Sequence, residues 1–169
     1  MPPNHPIEWP VATYAEVMTQ DPHHPQAQQT PRDQTPHGAV AIITNDCGEL
    51  LLHLRDDIHG ISWPGYWSVL GGGTDPGEDA AQTIRRELWE EAGLAADNLR
   101  ELFEVHDRDG SGQLITFFAG TWNGDETTLP LAEGVKLAFT APEALEGLKI
   151  PPYIRAGIER YLHREDVDE

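Results

Sequence analysis

The chain has 169 residues, enough for one domain with a proper core. Its 29 acidic against 11 basic side chains leave a formal charge of −18, which opposes a nucleic-acid polymer or an anionic membrane as partner. Cys47 is the only cysteine, so no disulfide framework is available; no apolar run reaches membrane-spanning length, residues 1–10 lack the pattern of a secretory leader, and a cytoplasmic setting is expected.

In chain order, residues 7–19 carry Trp9, Val11, Tyr14 and Val17 and predict a short strand or helix. Residues 20–37 are rich in Pro and Gln and predict a polar connector, so residues 1–37 are expected to be an extension and linker and 38–169 the folded domain. His23 and His24 could ligate a metal, but neighbouring histidines in such a link are more often solvated. Residues 39–43 form an apolar run suited to a buried strand, and Asn45-Asp46-Cys47-Gly48 marks a turn from which 50–55 pairs back. Cys47, placed in that turn, is not expected to be a nucleophile. After a loop over 56–66, a short strand over 66–70 delivers a run of glycines. Asp79 can cap a helix, Gln82 three residues on completes a capping box, and Gly93 suits a left-handed stop. Residues 99–106 and 113–122 predict a hairpin and 135–139 a further strand. Residues 142–148 predict a helical turn, and 152–163 a terminal helix with Ile154, Ile158 and Leu162 on one stripe. Strands with one helix between them and another at the end predict an α/β fold, an α/β/α sandwich around a mixed sheet.

The helix after the glycines holds the chemistry. Glu87, Glu90 and Glu91 stand at i, i+3 and i+4, share one side of the helix and repel each other without a counter-ion. At roughly 100° per residue, Glu91 points between Ala80 and Ile84, toward the core side. A buried, unpaired carboxylate is costly, and a hard cation with a taste for oxygen, Mg²⁺ or Mn²⁺, removes that cost. A solvated acidic face would explain Glu90 easily and Glu91 poorly.

Residues 72–94 read glycine, five residues, Glu78, seven residues, Arg86-Glu87, an apolar residue, any residue, Glu90-Glu91, any residue, Gly93 and an apolar residue. This pattern resembles the signature of the Nudix hydrolases at every specified position, and flanking patterns extend the likeness over about residues 36–163. The resemblance implies a metal-dependent enzyme that cleaves a diphosphate linked to another group, with Mg²⁺ or Mn²⁺ as cofactor. It implies Glu90 and Glu91 as metal ligands, Glu87 as a third ligand or a base, Gly72 as a carbonyl ligand, and Glu78 in the outer shell. Arg86 is expected to pair with a box carboxylate, Glu90 at i+4 included. Glu133 occupies the place of a late-loop acidic ligand, or is an ordinary loop glutamate. Arg55 could clamp a phosphate or sit in an ion pair, while Trp63 and Tyr66 could stack on a base or sugar. Leu70 stands where many relatives carry proline, which removes no catalytic group. The implied substrate is a nucleoside triphosphate or a nucleoside diphosphate derivative, an oxidised nucleotide included. The alternatives are a non-catalytic nucleotide-sensing module and an isomerase variant, for which Cys47 is misplaced. A homodimer is compatible with all of them.

Overall fold

The computed structural model describes residues 34–165 apart from Asp97. The expectations for residues 7–19 and for His23 and His24 lie outside the described residues. Seven strands form one mixed sheet: β1 (His37–Thr44), β2 (Leu50–Leu54), β3 (Trp67–Ser68), β4 (Leu70–Gly73), β5 (Arg100–His106), β6 (Leu114–Thr121) and β7 (Lys136–Thr140). Among the described residues two α-helices accompany them, α1 (Ala80–Ala92) and α2 (Pro152–Glu165). β1 begins at His37, a residue expected in the linker.

Alternation along β1 explains the layers. Ala39, Ala41 and Ile43 face α1 and join Ile84, Leu88 and Ala92 in one cluster. Val40 and Ile42 face the other way and join Ile154, Ile158 and Tyr161 of α2 in a second. A strand segment buried on both faces must be apolar, and β1 is so from Ala39 to Ile43. Leu88 and Ile154 are fully buried, so truncating either to alanine costs about 2–5 kcal/mol. The expected stripe on α2 is present, with Leu162 packed at the cluster's edge.

The pairing of β1 with β2 departs from a simple hairpin. Its register joins Thr44 to Leu50, and then β4 takes the edge of β1 from Gly38↔Gly73 to Ala41↔Leu70. β2 pairs instead with β3 and β7. The single strand expected over 66–70 is therefore two: Trp67–Ser68 belongs to β2, and Leu70–Gly73 to β1. The crossing brings backbone against backbone. Gly71 has φ 144°, and a Cβ there would run into the Ala39 carbonyl, so only glycine passes. This crossing sets the glycine run against α1. The only parallel pair in the sheet as described is β1 with β6, from His37↔Leu114 to Thr44↔Thr121.

Candidate active site

α1 starts where the sequence signals it. Asp79 accepts from the Gln82 backbone N–H at 2.8 Å, and the Gln82 side chain accepts from Asp79 N–H at 2.9 Å. Gly93 ends the helix at φ 61°, its N–H directed to the Leu88 and Trp89 carbonyls. These caps fix the rotation of the helix and so the direction of each glutamate.

Glu91 is 5% exposed and accepts from Gly71 N–H at 2.9 Å. Burial pushes its carboxyl up to about 8, against the pull of the Gly71 bond, and the charges of Glu87 and Glu133 push the same way. Glu87 lies against Gly72, where a Cβ would stand 2.7 Å from its carboxylate. Burial raises Glu87 as well, opposed by Arg86. Glu90 points outward, its side chain 58% exposed.

Arg86 organises the rest. Its Nε donates to Glu78 at 2.7 Å and Nη1 to Glu87 at 2.8 Å and Glu90 at 3.0 Å, while Nη2 donates to the Gly73 carbonyl at 2.9 Å and Glu78 at 3.0 Å. Glu78 also accepts from the Asp75 N–H and the Thr83 hydroxyl. Arg86 first, then the Asp75 bond, pulls Glu78 down to about 2. One guanidinium thus ties the glycine run, the loop before the helix and two helix carboxylates together.

The three glutamates do not converge as the spacing suggested. Glu90 and Glu91 are one residue apart, roughly 100° around the helix, so one meets solvent and the other the core. Among the described residues no three His, Cys, Asp or Glu side chains form a ready-made metal cluster. The donors nonetheless suit a hard divalent cation. Glu91 is a buried carboxylate without an ion-pair partner among the described residues, and the carboxylates of Asp56 and Glu133 line the same cleft as further oxygen ligands.

A cleft of about 250 Å³ opens beside Glu91, and Glu133, Arg55, Asp56 and His53 also line it. The loop bearing Glu133 is pinned at each residue. Ala132 N–H donates to the Glu91 carbonyl, His53 Nε2 to the Glu133 carbonyl, Gly134 N–H to Asp56 and Val135 N–H to the Leu54 carbonyl, at 2.8–3.0 Å. Burial lowers the His53 pKa, and since a carbonyl oxygen can only accept, Nε2 carries the hydrogen in this bond. A second cleft, about 220 Å³, lies along Gly71, Gly72 and Gly73 and is walled by Trp63, Gln113, Asp107 and Tyr153. Arg55 borders both clefts, its Nε donating to the Ser62 carbonyl at 2.9 Å, and it makes no ion pair among the described residues. Tyr66 stands edge-on to Trp63 at 5.3 Å, and neither cleft has it in its wall.

Compared with known families, residues 35–161 match the NUDIX domain, well over half of the chain. The chain belongs to the Nudix hydrolase family. A nucleoside triphosphatase NudI of Escherichia coli K12 is 44% identical over 52 residues, which cover 31% of this chain and 36% of that protein. The aligned stretch thus spans about a third of the length of the curated relatives it matches. Among solved structures, the MutT protein of Methanosarcina mazei Go1 has a TM-score of 0.59 at 24% identity, covering 78% of this chain and 97% of its own. The NUDIX domain of Shewanella oneidensis NrtR, solved with ADP ribose, has a TM-score of 0.64 at 19% identity, covering 90% and 99%. At these identities the likeness is one of fold: a mixed sheet with helices, an α/β fold as expected.

Nudix hydrolases generally use divalent metals, and the Nudix box of this chain is the turn and helix just described. Of the residues singled out from sequence, Gly72, Glu87, Glu91 and Arg86 are gathered here, with Glu78 behind them and Glu133 across the first cleft. Glu90 is at the rim, held by Arg86. His53, Asp56 and Asp107 also line the clefts and are not among the residues singled out from sequence. The signal for His53 was present: one histidine in the otherwise apolar strand Leu50–Leu54, 3% exposed.

Proposed function

We propose that this Nudix protein is a pyrophosphohydrolase that cleaves a phosphoanhydride bond of a nucleoside triphosphate or a nucleoside diphosphate derivative with the help of Mg²⁺ or Mn²⁺. The observation that carries the proposal is the buried Glu91 carboxylate, in no ion pair among the described residues, beside the glycine run and facing Glu133 across a cleft. Glu91, Glu87 and the Gly72 carbonyl would hold the ion, and Glu90 would join them by exchanging its bond to Arg86. A bound divalent cation neutralises phosphate oxygens and acidifies water. Arg86 keeps Glu87 oriented and binds Glu78, which braces the loop. Glu133, fixed by its pinned backbone, either adds a ligand or takes the proton of the attacking water at its carboxylate. Arg55 binds phosphate oxygens between the clefts, and Trp63 flanks the base or sugar.

The second reading is a nucleotide sensor, a Nudix domain that binds and does not cleave. The complete set of Glu78, Glu87, Glu90 and Glu91 favours hydrolysis. The test is a panel of nucleoside triphosphates, oxidised nucleotides and nucleoside diphosphate sugars with Mg²⁺ or Mn²⁺, scored for released phosphate, pyrophosphate and nucleoside monophosphate. Turnover that a chelator abolishes is expected. Tight binding without turnover of any member would establish the sensor instead. NudI and NrtR make triphosphates and ADP ribose sensible first members.

A further inference from the structure

Trp63 has φ 55° and is the only non-glycine residue at positive φ among the described residues. A bulky side chain is disfavoured there, and Pro64, next in the chain, pushes the same residue toward extended backbone. Such a conformation persists only where its surroundings over-determine it. Arg55 Nε holds the preceding carbonyl, of Ser62, at 2.9 Å, and Tyr66 packs edge-on at 5.3 Å. The indole Nε1 donates to both carboxylate oxygens of Asp107, 44 residues away in sequence, at 3.3 Å each.

Asp107 is 2% exposed and makes no ion pair among the described residues. Oδ2 also accepts from Ser111 N–H at 2.7 Å and Ser111 Oγ at 3.0 Å, whereas Oδ1 is turned to the indole. Its backbone closes the β5–β6 turn through Gln113 and Gly112, both at 2.9 Å. Gly110 passes so near that a Cβ there would run into the indole nitrogen and the carboxylate. The Ser111, Gln113 and Gly112 bonds are internal to the turn, whereas the bond to Trp63 reaches across to another loop. The indole it fixes is not core, since it walls the cleft beside Gly71, Gly72 and Gly73.

We infer that Asp107 is a positioning residue for substrate recognition: it locks the Trp63 indole as a rigid wall against which a planar nucleobase stacks. The choice of a nucleobase rests on the nucleotide reading above, but the test needs no hydrolysis. AMP, GMP, CMP and UMP, with ribose 5-phosphate as the control lacking a base, are titrated into wild type, Asp107→Ala, Asp107→Asn, Trp63→Phe and the Asp107→Ala/Trp63→Phe double variant. Binding is read by calorimetry and tryptophan fluorescence.

Wild type is expected to bind at least one nucleotide more tightly than ribose 5-phosphate. Asp107→Ala weakens that nucleotide about tenfold and leaves ribose 5-phosphate unchanged. Asp107→Asn keeps an acceptor oxygen and restores most of the affinity. Trp63→Phe loses as much as Asp107→Ala, and the double variant loses no more than either single. Equal losses for nucleotides and ribose 5-phosphate, additive losses, or unchanged binding in Trp63→Phe would overturn the inference, as would a wild type blind to the base. If Asp107→Ala does not fold, Trp63→Phe and Asp107→Asn decide: loss in the first with retention in the second supports the lock, and the reverse refutes it. Failure here leaves the hydrolysis assay untouched, and failure of that assay leaves this binding test standing.

Discussion

Replacing Glu91 by glutamine should make the protein more stable in alkaline chelator and less responsive to Mg²⁺. The Glu91 carboxyl is raised from 4.5 to about 8 by burial, so the folded state holds its proton more tightly than the unfolded chain does. The stability from neutral Glu91 is complete below about pH 4.5 and is lost as pH rises through about 8. Full ionisation forfeits at most about 5 kcal/mol, and relaxation in a partly wetted cleft reduces this to a few kcal/mol. Glutamine stays neutral at every pH and keeps an oxygen for Gly71 N–H. Thermal melts of wild type and Glu91→Gln in EDTA from pH 5 to 9 should therefore diverge with pH, the variant gaining roughly 5–10 °C at the upper end for a domain of this size. Saturating Mg²⁺ should reverse the order. Wild type gains about 2.7 kcal/mol at a hundredfold excess over the dissociation constant, and the variant much less. Parallel melting curves across the pH range, or equal gains from Mg²⁺, would refute the buried, cation-seeking carboxylate.

Other expectations follow from the same geometry. Arg86→Ala should lower turnover by about a hundredfold, because the partners that orient Glu87 and Glu78 are lost together; Arg86→Lys, a point charge without the planar fork, should restore only part. The acid limb of stability should shift in Glu78→Gln, since the Arg86-paired carboxylate contributes above pH 4.5 and is lost as pH falls through about 2; acid melts of both proteins check this. Gly134 has φ 88°, and a Cβ there would run into His53, so Gly134→Ala should destabilise the loop and lower kcat, read by melts and turnover. With a charge of −18, kcat/KM for a polyphosphate substrate should rise with NaCl at fixed free Mg²⁺ if encounter limits the rate, and Arg55→Ala should raise KM; a salt series on both proteins decides.

Local signals were legible in the sequence wherever the cause is local. The Asp79–Gln82 box, the Gly93 stop and the alternation of β1 each depend on a few neighbouring residues. The burial of Glu91 followed from helical rotation alone. The splayed β1–β2 pair did not, because the competitor for the edge of β1 is β4, more than 20 residues on, and local pairing cannot reveal which partner wins. The separate destinations of Glu87, Glu90 and Glu91 were hidden for a related reason: spacing puts them on one side of the helix, whereas Arg86 and the core decide where each carboxylate ends. The pinning of Glu133 by His53 and Asp56, and of Trp63 by Asp107, spans 44–80 residues of chain and left at most a lone polar residue in an apolar strand as a hint.

The central claim is that Glu91 and its neighbours hold a divalent cation that drives phosphoanhydride cleavage. Its most direct test is the Mg²⁺-dependent turnover of one nucleotide substrate by wild type and Glu91→Gln at pH 8.5, with substrate affinity measured alongside. Wild-type turnover should vanish in EDTA, and the variant should lose about a thousandfold or more in kcat while still binding the substrate. Turnover that survives the chelator, or a variant as fast as wild type, would contradict the account.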